Sequence, residues 1–137
     1  MKIFLDTDIL IDVALDRVPH AAPAGTLLDR LEKNDAAGFM AWHSAANFYY
    51  LVSPKRGKRD TRLFLLELTE FIEIAPSSTE ILRQAVILNL PDFEDSMQVS
   101  AAIACGADVI ATRNIRDYTK APIEAATPAS VLKLMET

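Results

Sequence analysis

Cysteine is almost missing from the chain. Cys105 stands alone, so neither an internal disulfide nor a cysteine-built zinc site can form. Histidine is nearly as scarce. His20 and His43 lack each other, or a cysteine, at metal-ligand spacing, which argues against zinc. No apolar run approaches the roughly 18–20 residues that a membrane helix needs. The opening Met1-Lys2-Ile3-Phe4-Leu5 meets a charge at Asp6 too early for a secretory leader, so the expected location is the cytoplasm. There is no glycine-rich phosphate cradle and no Gly-x-Ser-x-Gly elbow. Positive charge is also short: 14 lysines and arginines against 19 acids give a net charge of −5. That balance argues against broad electrostatic attraction to nucleic acid and leaves only a local basic patch for the purpose.

What is present is a chain of 137 residues, half of them apolar, which is enough for one domain over 1–137 with a real core. Lys2–Leu5 reads as a buried strand, and Ile9, Leu10, Val13 and Ala14 recur behind it at helical spacing. A helix is expected over Ala24–Lys33. A strand follows at Phe39–Trp42, then a helix capped by Ser44 that carries Phe48, Tyr49, Leu51 and Val52. Pro54-Lys55-Arg56-Gly57-Lys58-Arg59 reads as a basic loop. Beyond it come a long helix, a strand over Phe71–Ala75, a helix capped at Ser77 or Ser78, and a helix from Asp92 to Gly106. The chain closes with a strand at Asp108–Ala111, a short strand near Ile123 and a helix from Pro128. Strands alternating with helices predict an α/β sandwich with a mostly parallel sheet, whose sites gather at the carboxyl ends of the strands.

Several apolar stretches end against a carboxylate. Lys2–Leu5 runs into Asp6, Leu88–Pro91 into Asp92 and Asp95, and Ala107–Ala111 into the polar turn that ends in Asp117. A buried carboxylate needs hydrogen bonds or a cation to offset its desolvation. Three such places in a small domain suggest one shared divalent ion. Each also has an ordinary explanation. Thr7 or Asp8 could simply cap the first helix, and Asp8 is read that way. Asp92 and Asp95, one turn apart, could be a cap and a capping acid. Thr112–Asp117 could be an ordinary turn. Glu94 is expected to point elsewhere into solvent. Lys55, Arg56, Lys58 and Arg59 form the one dense basic cluster, either a solvated loop or a phosphate contact. Cys105 is expected in the core, and Trp42, Tyr49 and Tyr50 in packing more than in base stacking.

Three segments in register carry a resemblance over essentially the whole chain. Ile3-Phe4-Leu5-Asp6-Thr7-Asp8-Ile9-Leu10-Ile11-Asp12, Asp92-Phe93-Glu94-Asp95-Ser96-Met97-Gln98 and Ala111-Thr112-Arg113-Asn114-Ile115-Arg116-Asp117-Tyr118 resemble the PIN-domain nucleases, in the branch that holds VapC-type toxins. The resemblance implies a three-layer α/β/α sandwich with a short sheet of four to five strands. It also implies a metal-dependent endoribonuclease using Mg²⁺ or Mn²⁺, with Asp6, Asp95 and Asp117 matching acids of the site and Thr112 and Asn114 its polar residues. The family's second acid, a turn after a serine like Ser44, is replaced here by Asn47, as in a subgroup that carries an extra aspartate like Asp92. On this reading Asp6, Asp92 and Asp95 hold metal, Asp117 assists, and Lys55, Arg56, Lys58, Arg59 and Arg113 face RNA. An antitoxin partner and a homodimer are expected with it, the second and third helices being the surface for a second copy.

Three other readings stay open. One is a PIN fold that binds RNA or a partner without cutting. Another is a haloacid-dehalogenase-like phosphohydrolase with Asp6 as nucleophile and Asp8 as its acid, though the chain offers neither the downstream lysine nor the second acidic pair clearly. The third is a receiver-like signalling domain, for which Lys120 is a weak candidate lysine.

Overall fold

The computed structural model describes residues 1–136. Five strands, β1 (Lys2–Leu5), β2 (Ala37–Met40), β3 (Ile72–Ile74), β4 (Val109–Ala111) and β5 (Ala125–Ala126), form one sheet in the order β3-β2-β1-β4-β5. Every pairing is parallel, with Ile3 opposite Gly38 on one side and Val109 on the other. Parallel neighbours need crossovers, and the chain supplies helices α1 (Thr7–Ala14), α2 (Ala21–Glu32), α3 (Trp42–Arg56), α4 (Lys58–Leu68), α5 (Thr79–Leu88), α6 (Phe93–Ala104) and α7 (Pro128–Met135).

Alternation along β1 divides the core in two. Ile3 and Leu5 pack with Ile9, Leu27, Phe48, Leu68 and Val131 on the face covered by α1, α2, α3, α4 and α7. Phe4 turns the other way and packs with Val99, Ala102, Ile110 and Tyr118, against α6. The result is the expected three-layer α/β/α arrangement. Because the chain builds outward from β1 through β2 to β3, then returns to the opposite side for β4 and β5, the strand order reverses between β1 and β4. Ligand sites of open parallel sheets lie outside the carboxyl ends of the strands at such a reversal. The residues there are Asp6, after β1, and Thr112, after β4.

Some expected boundaries shift. The second strand lies at Ala37–Met40, and the chain turns into α3 at Trp42, whose side chain is 68% exposed. Ser44 is not the cap of α3; that position is Ala41, and Ser44 is buried inside the helix. The basic segment is not a loop. Lys55 and Arg56 end α3, and Lys58 and Arg59 begin α4. Only Gly57 lies between them, at φ 92°, a conformation that favours glycine. Gly106 follows α6 at φ 72°, as its expected stop. Among the described residues, no helix is long and apolar enough to cross a membrane.

Candidate active site

Asp6 leaves β1 with its backbone N–H still on the sheet ladder, donating to Ala111 at 3.0 Å. Its side chain caps α1 by accepting from Asp8 N at 3.2 Å, the task expected of Thr7 or Asp8. Asp6 is only 4% exposed, so the rest of its carboxylate must also find partners. Oδ1 takes a second donor, Gln98 Nε2, at 3.1 Å. Oδ2 accepts from Thr112 Oγ1 at 2.7 Å and from the Tyr118 hydroxyl at 3.2 Å.

Gln98 and Tyr118 tie this carboxylate to the rest of the site. Gln98 is fully buried in the middle of α6. Its Nε2 also approaches Glu94 Oε1 at 3.2 Å and the Tyr118 oxygen at 3.3 Å, while its Oε1 accepts from Thr7 N at 3.2 Å. Tyr118 ends a short 3-10 turn, Ile115–Tyr118, and its hydroxyl stands 3.2 Å from Asp95 Oδ1 as well as from Asp6. Asp6 and Asp95 therefore meet through a phenol. Neither Gln98 nor Tyr118 is singled out by the sequence reading; the i,i+4 spacing of Glu94 and Gln98 is a signal for Gln98, and none marks Tyr118.

Glu94 corrects the expectation of a solvated side chain. It reaches Gln98 and also lies 2.6 Å from His43 Nε2. Asp8, taken for a plain cap residue, accepts from Asn114 Nδ2 at 2.8 Å, and Asn114 N donates to Thr112 Oγ1 at 3.0 Å. Burial and then the neighbouring Asp6 push the Asp8 carboxyl above its ordinary range. The same causes act on Asp95. Burial first, then the charges of Asp92, Asp6 and Glu94, raise its carboxyl to about 7. Burial, then Asp6 and Asp95, push the Tyr118 phenol up too, so it remains a protonated donor.

The remaining expected site residues are placed less centrally. Asp92 is exposed and caps α6 through Asp95 N at 3.2 Å. Asp117 is exposed on the 3-10 turn. It lines a cleft of about 250 Å³ with Pro91, Asp92, Asp95, Arg116, Thr119 and Lys120, so Asp95 joins this outer group to the inner one around Asp6. Ser44 Oγ accepts from Thr7 Oγ1 at 2.7 Å and pins α3 to the start of α1. Asn47, one turn further along α3, is half-buried.

The cations expected to meet RNA divide. Arg113 is committed to the wholly buried Asp12, its Nε donating to Oδ2 at 2.8 Å. Arg56 donates to the Ala14 carbonyl at 2.9 Å and lies 5.0 Å above the Phe64 ring. Lys55, Lys58 and Arg59 are exposed. Ala14 ends α1, eight residues and about 12 Å of helix from Asp6, so the basic cluster sits a helix length from the acids.

The donors are all hard oxygen ligands, the chemistry that suits Mg²⁺ or Mn²⁺. The arrangement is nevertheless closed. Among the described residues, no three acid, histidine or cysteine side chains stand together as a ready-made ion site. The hydrogen bonds onto Asp6 provide the compensation that the sequence reading assigns to a cation.

Comparison with known proteins points to one group. The family model described as PIN domain matches residues 2–116. Among solved structures, the Rickettsia felis VapBC2 complex, bound to a DNA fragment from its promoter, aligns with a TM-score of 0.72 and 21% identity. That match covers 93% of this chain and 98% of the other. Mycobacterium tuberculosis VapC20, described as a sarcin–ricin loop cleaving toxin, aligns at 0.62 and 14% identity, covering 79% of this chain and 86% of its own. No curated protein matches the sequence.

Proposed function

Since the chain belongs to the PIN-domain family, we propose that residues 1–137 are one PIN domain acting as a metal-dependent endoribonuclease, the toxin of a toxin–antitoxin pair. The observation that carries this reading is the convergence of Asp6 and Asp8, from the junction of β1 and α1, with Glu94 and Asp95, from α6, at the reversal of strand order. Burial, and then the crowding of Asp92, Asp6 and Glu94, raise the Asp95 carboxyl to about 7, and acids in that state are suited to cation binding.

Asp6 and Asp95 would hold the ion, with Asp92 at the rim. When bound, Mg²⁺ or Mn²⁺ supplies positive charge for a scissile phosphodiester and acidifies water. The chain's own residues do the positioning. Thr112 and Gln98 fix the plane of the Asp6 carboxylate, and Asn114 fixes Asp8. Arg116 and Lys120 line the cleft beside Asp95 and Asp117, where they can meet phosphates. Single-stranded or looped RNA suits such a cleft, since its bases and backbone can be splayed. The VapC-like fold also favours a small antitoxin and a second copy as partners; exposed Tyr50 and Leu51 of α3 and Leu63 and Leu66 of α4 offer an apolar face, whereas Leu27, Leu28 and Leu31 of α2, the second helix expected there, are buried.

The test is cleavage of single-stranded RNA by the purified chain with Mg²⁺, with Mn²⁺ and with chelator. Cleavage should need the ion and disappear in Asp6→Asn and in Asp95→Asn. RNA cutting that survives Asp95→Asn sinks the proposal. The closed state of Asp6 favours a second reading, a PIN fold that binds RNA without cutting it, and calorimetric failure to bind Mn²⁺ would select it.

A further inference from the structure

A carboxylate has about four lone-pair positions. On Asp6 the chain sets a donor against each of them, Asp8 N and Gln98 Nε2 at Oδ1 and Thr112 Oγ1 and Tyr118 OH at Oδ2, the last shared with Asp95. A cation that uses Asp6 must therefore remove a donor, and the four are not held alike. The Asp8 N–H is the cap of α1. Thr112 makes the shortest of these bonds, at 2.7 Å, and its hydroxyl also accepts from Asn114 N. Gln98 is locked inside α6 and gripped at its other end by Thr7 N.

Tyr118 is the donor whose single hydrogen is divided, although its ring is buried and Gln98 Nε2 lies 3.3 Å from its oxygen. It hangs from a four-residue turn flanked by exposed Arg116, Asp117 and Thr119. It has one hydroxyl hydrogen for two carboxylate oxygens at 3.2 Å each, so at any moment one of the two bonds is unmade. The hydroxyl also occupies the space between Asp6 and Asp95, the two acids that the nuclease reading needs on one ion.

We infer that Tyr118 is a positioning residue that closes the resting site, and that its hydroxyl is the group a divalent cation displaces on entering between Asp6 and Asp95. The inference rests on the metal-dependent reading above and adds a competitor built into the site. Tyr118→Phe keeps the buried ring, which packs with Phe4, Val99 and Ile110, and removes only the hydroxyl.

The experiment is calorimetric titration of Mn²⁺ into the native chain and into Tyr118→Phe at pH 8, with thermal unfolding recorded for both. Removing the competitor should tighten Mn²⁺ binding about tenfold, equivalent to about 1.4 kcal/mol. Unchanged or weaker binding overturns the inference. If the variant does not fold, the native chain decides. Titration with Mg²⁺ of protein labelled with ¹³C in its tyrosines must move the Tyr118 ring signal and leave Tyr49 and Tyr50 in place. An immobile Tyr118 signal in a chain that binds Mg²⁺ overturns the inference and spares the nuclease reading. Failure of the native chain to bind either ion overturns both.

Discussion

Replacing Arg113 with alanine should make the protein easier to unfold and leave its hold on RNA largely intact. Asp12, in α1, has no exposed surface. Its Oδ2 accepts from Arg113 Nε at 2.8 Å; its Oδ1 has no hydrogen bond, and Arg17 Nη1 approaches it only to 3.6 Å. Removing one partner of a buried ion pair costs about 3–5 kcal/mol, because the other charge stays behind. Arg113 keeps 29% of its side chain exposed and Arg17 remains nearby, so we place the cost at about 2–3 kcal/mol. With an unfolding entropy of about 2.1 cal/mol/K per residue, this chain should melt about 7–10 °C lower.

Circular dichroism at low and high salt is the assay, and the loss should persist in salt because a buried pair is little screened. Asp12→Ala and the double variant complete a cycle. The double should cost less than the sum of the singles by at least about 1 kcal/mol if the two side chains act on each other. The reasoning fails if Arg113→Ala melts within about 2 °C of the native chain while RNA affinity, read by fluorescence anisotropy, falls several-fold. Arg113 would then face nucleic acid, as the sequence alone leads one to expect.

The Asp95 carboxyl, raised to about 7, is protonated more readily folded than unfolded, where it ionises near 3.8. Its ionisation therefore takes stability away as pH rises from about 4 to 7, and acidification restores it. Measured without metal, the melting temperature of Asp95→Asn relative to the native chain should climb across that interval and level off above it; a falling difference refutes the assignment. A cation competes for the same oxygens, so Mn²⁺ affinity in calorimetry should drop below pH 7. In the basic cluster, a Lys58→Ala/Arg59→Ala variant should keep its melting temperature and lower the salt dependence of RNA binding by about one to two in log–log slope. Arg56→Ala should instead cost about 1 kcal/mol of stability through the lost Ala14 carbonyl and Phe64 contacts, read by the same melts.

The sheet is legible in the sequence because its central strands are short apolar runs and most of the helices, α3 excepted, carry a 3.6-residue stripe. The misplaced boundaries have two causes, hydrophobicity without burial and helix-breaking residues that do not open a loop. Trp42 extends the apolar run of β2, yet the chain has already left the sheet at Ala41 and the indole lies in solvent. Pro54 and Gly57 look like a loop. Pro54 falls in the last turn of α3, and a single left-handed residue at Gly57 is enough to start α4.

The meeting of Asp6, Asp95 and Thr112 is legible too, because strand-end logic needs only the order of elements. What surrounds them is harder to read. A buried acid signals the same need whether a cation or a set of hydrogen bonds meets it, and spacing does not separate the two. The separation depends on Gln98, which looks like any polar helix residue until α6 turns it onto Asp6. It depends equally on Tyr118, whose phenol reaches both acids only because the 3-10 turn delivers it at 3.2 Å from each. Three donors committed to one carboxylate, and a fourth shared with Asp95, stand where an ion would bind, so in this chain metal binding and the resting fold compete for the same oxygens. The ion's affinity should therefore be governed less by how many acids the site contains than by how readily the turn carrying Tyr118 lets go.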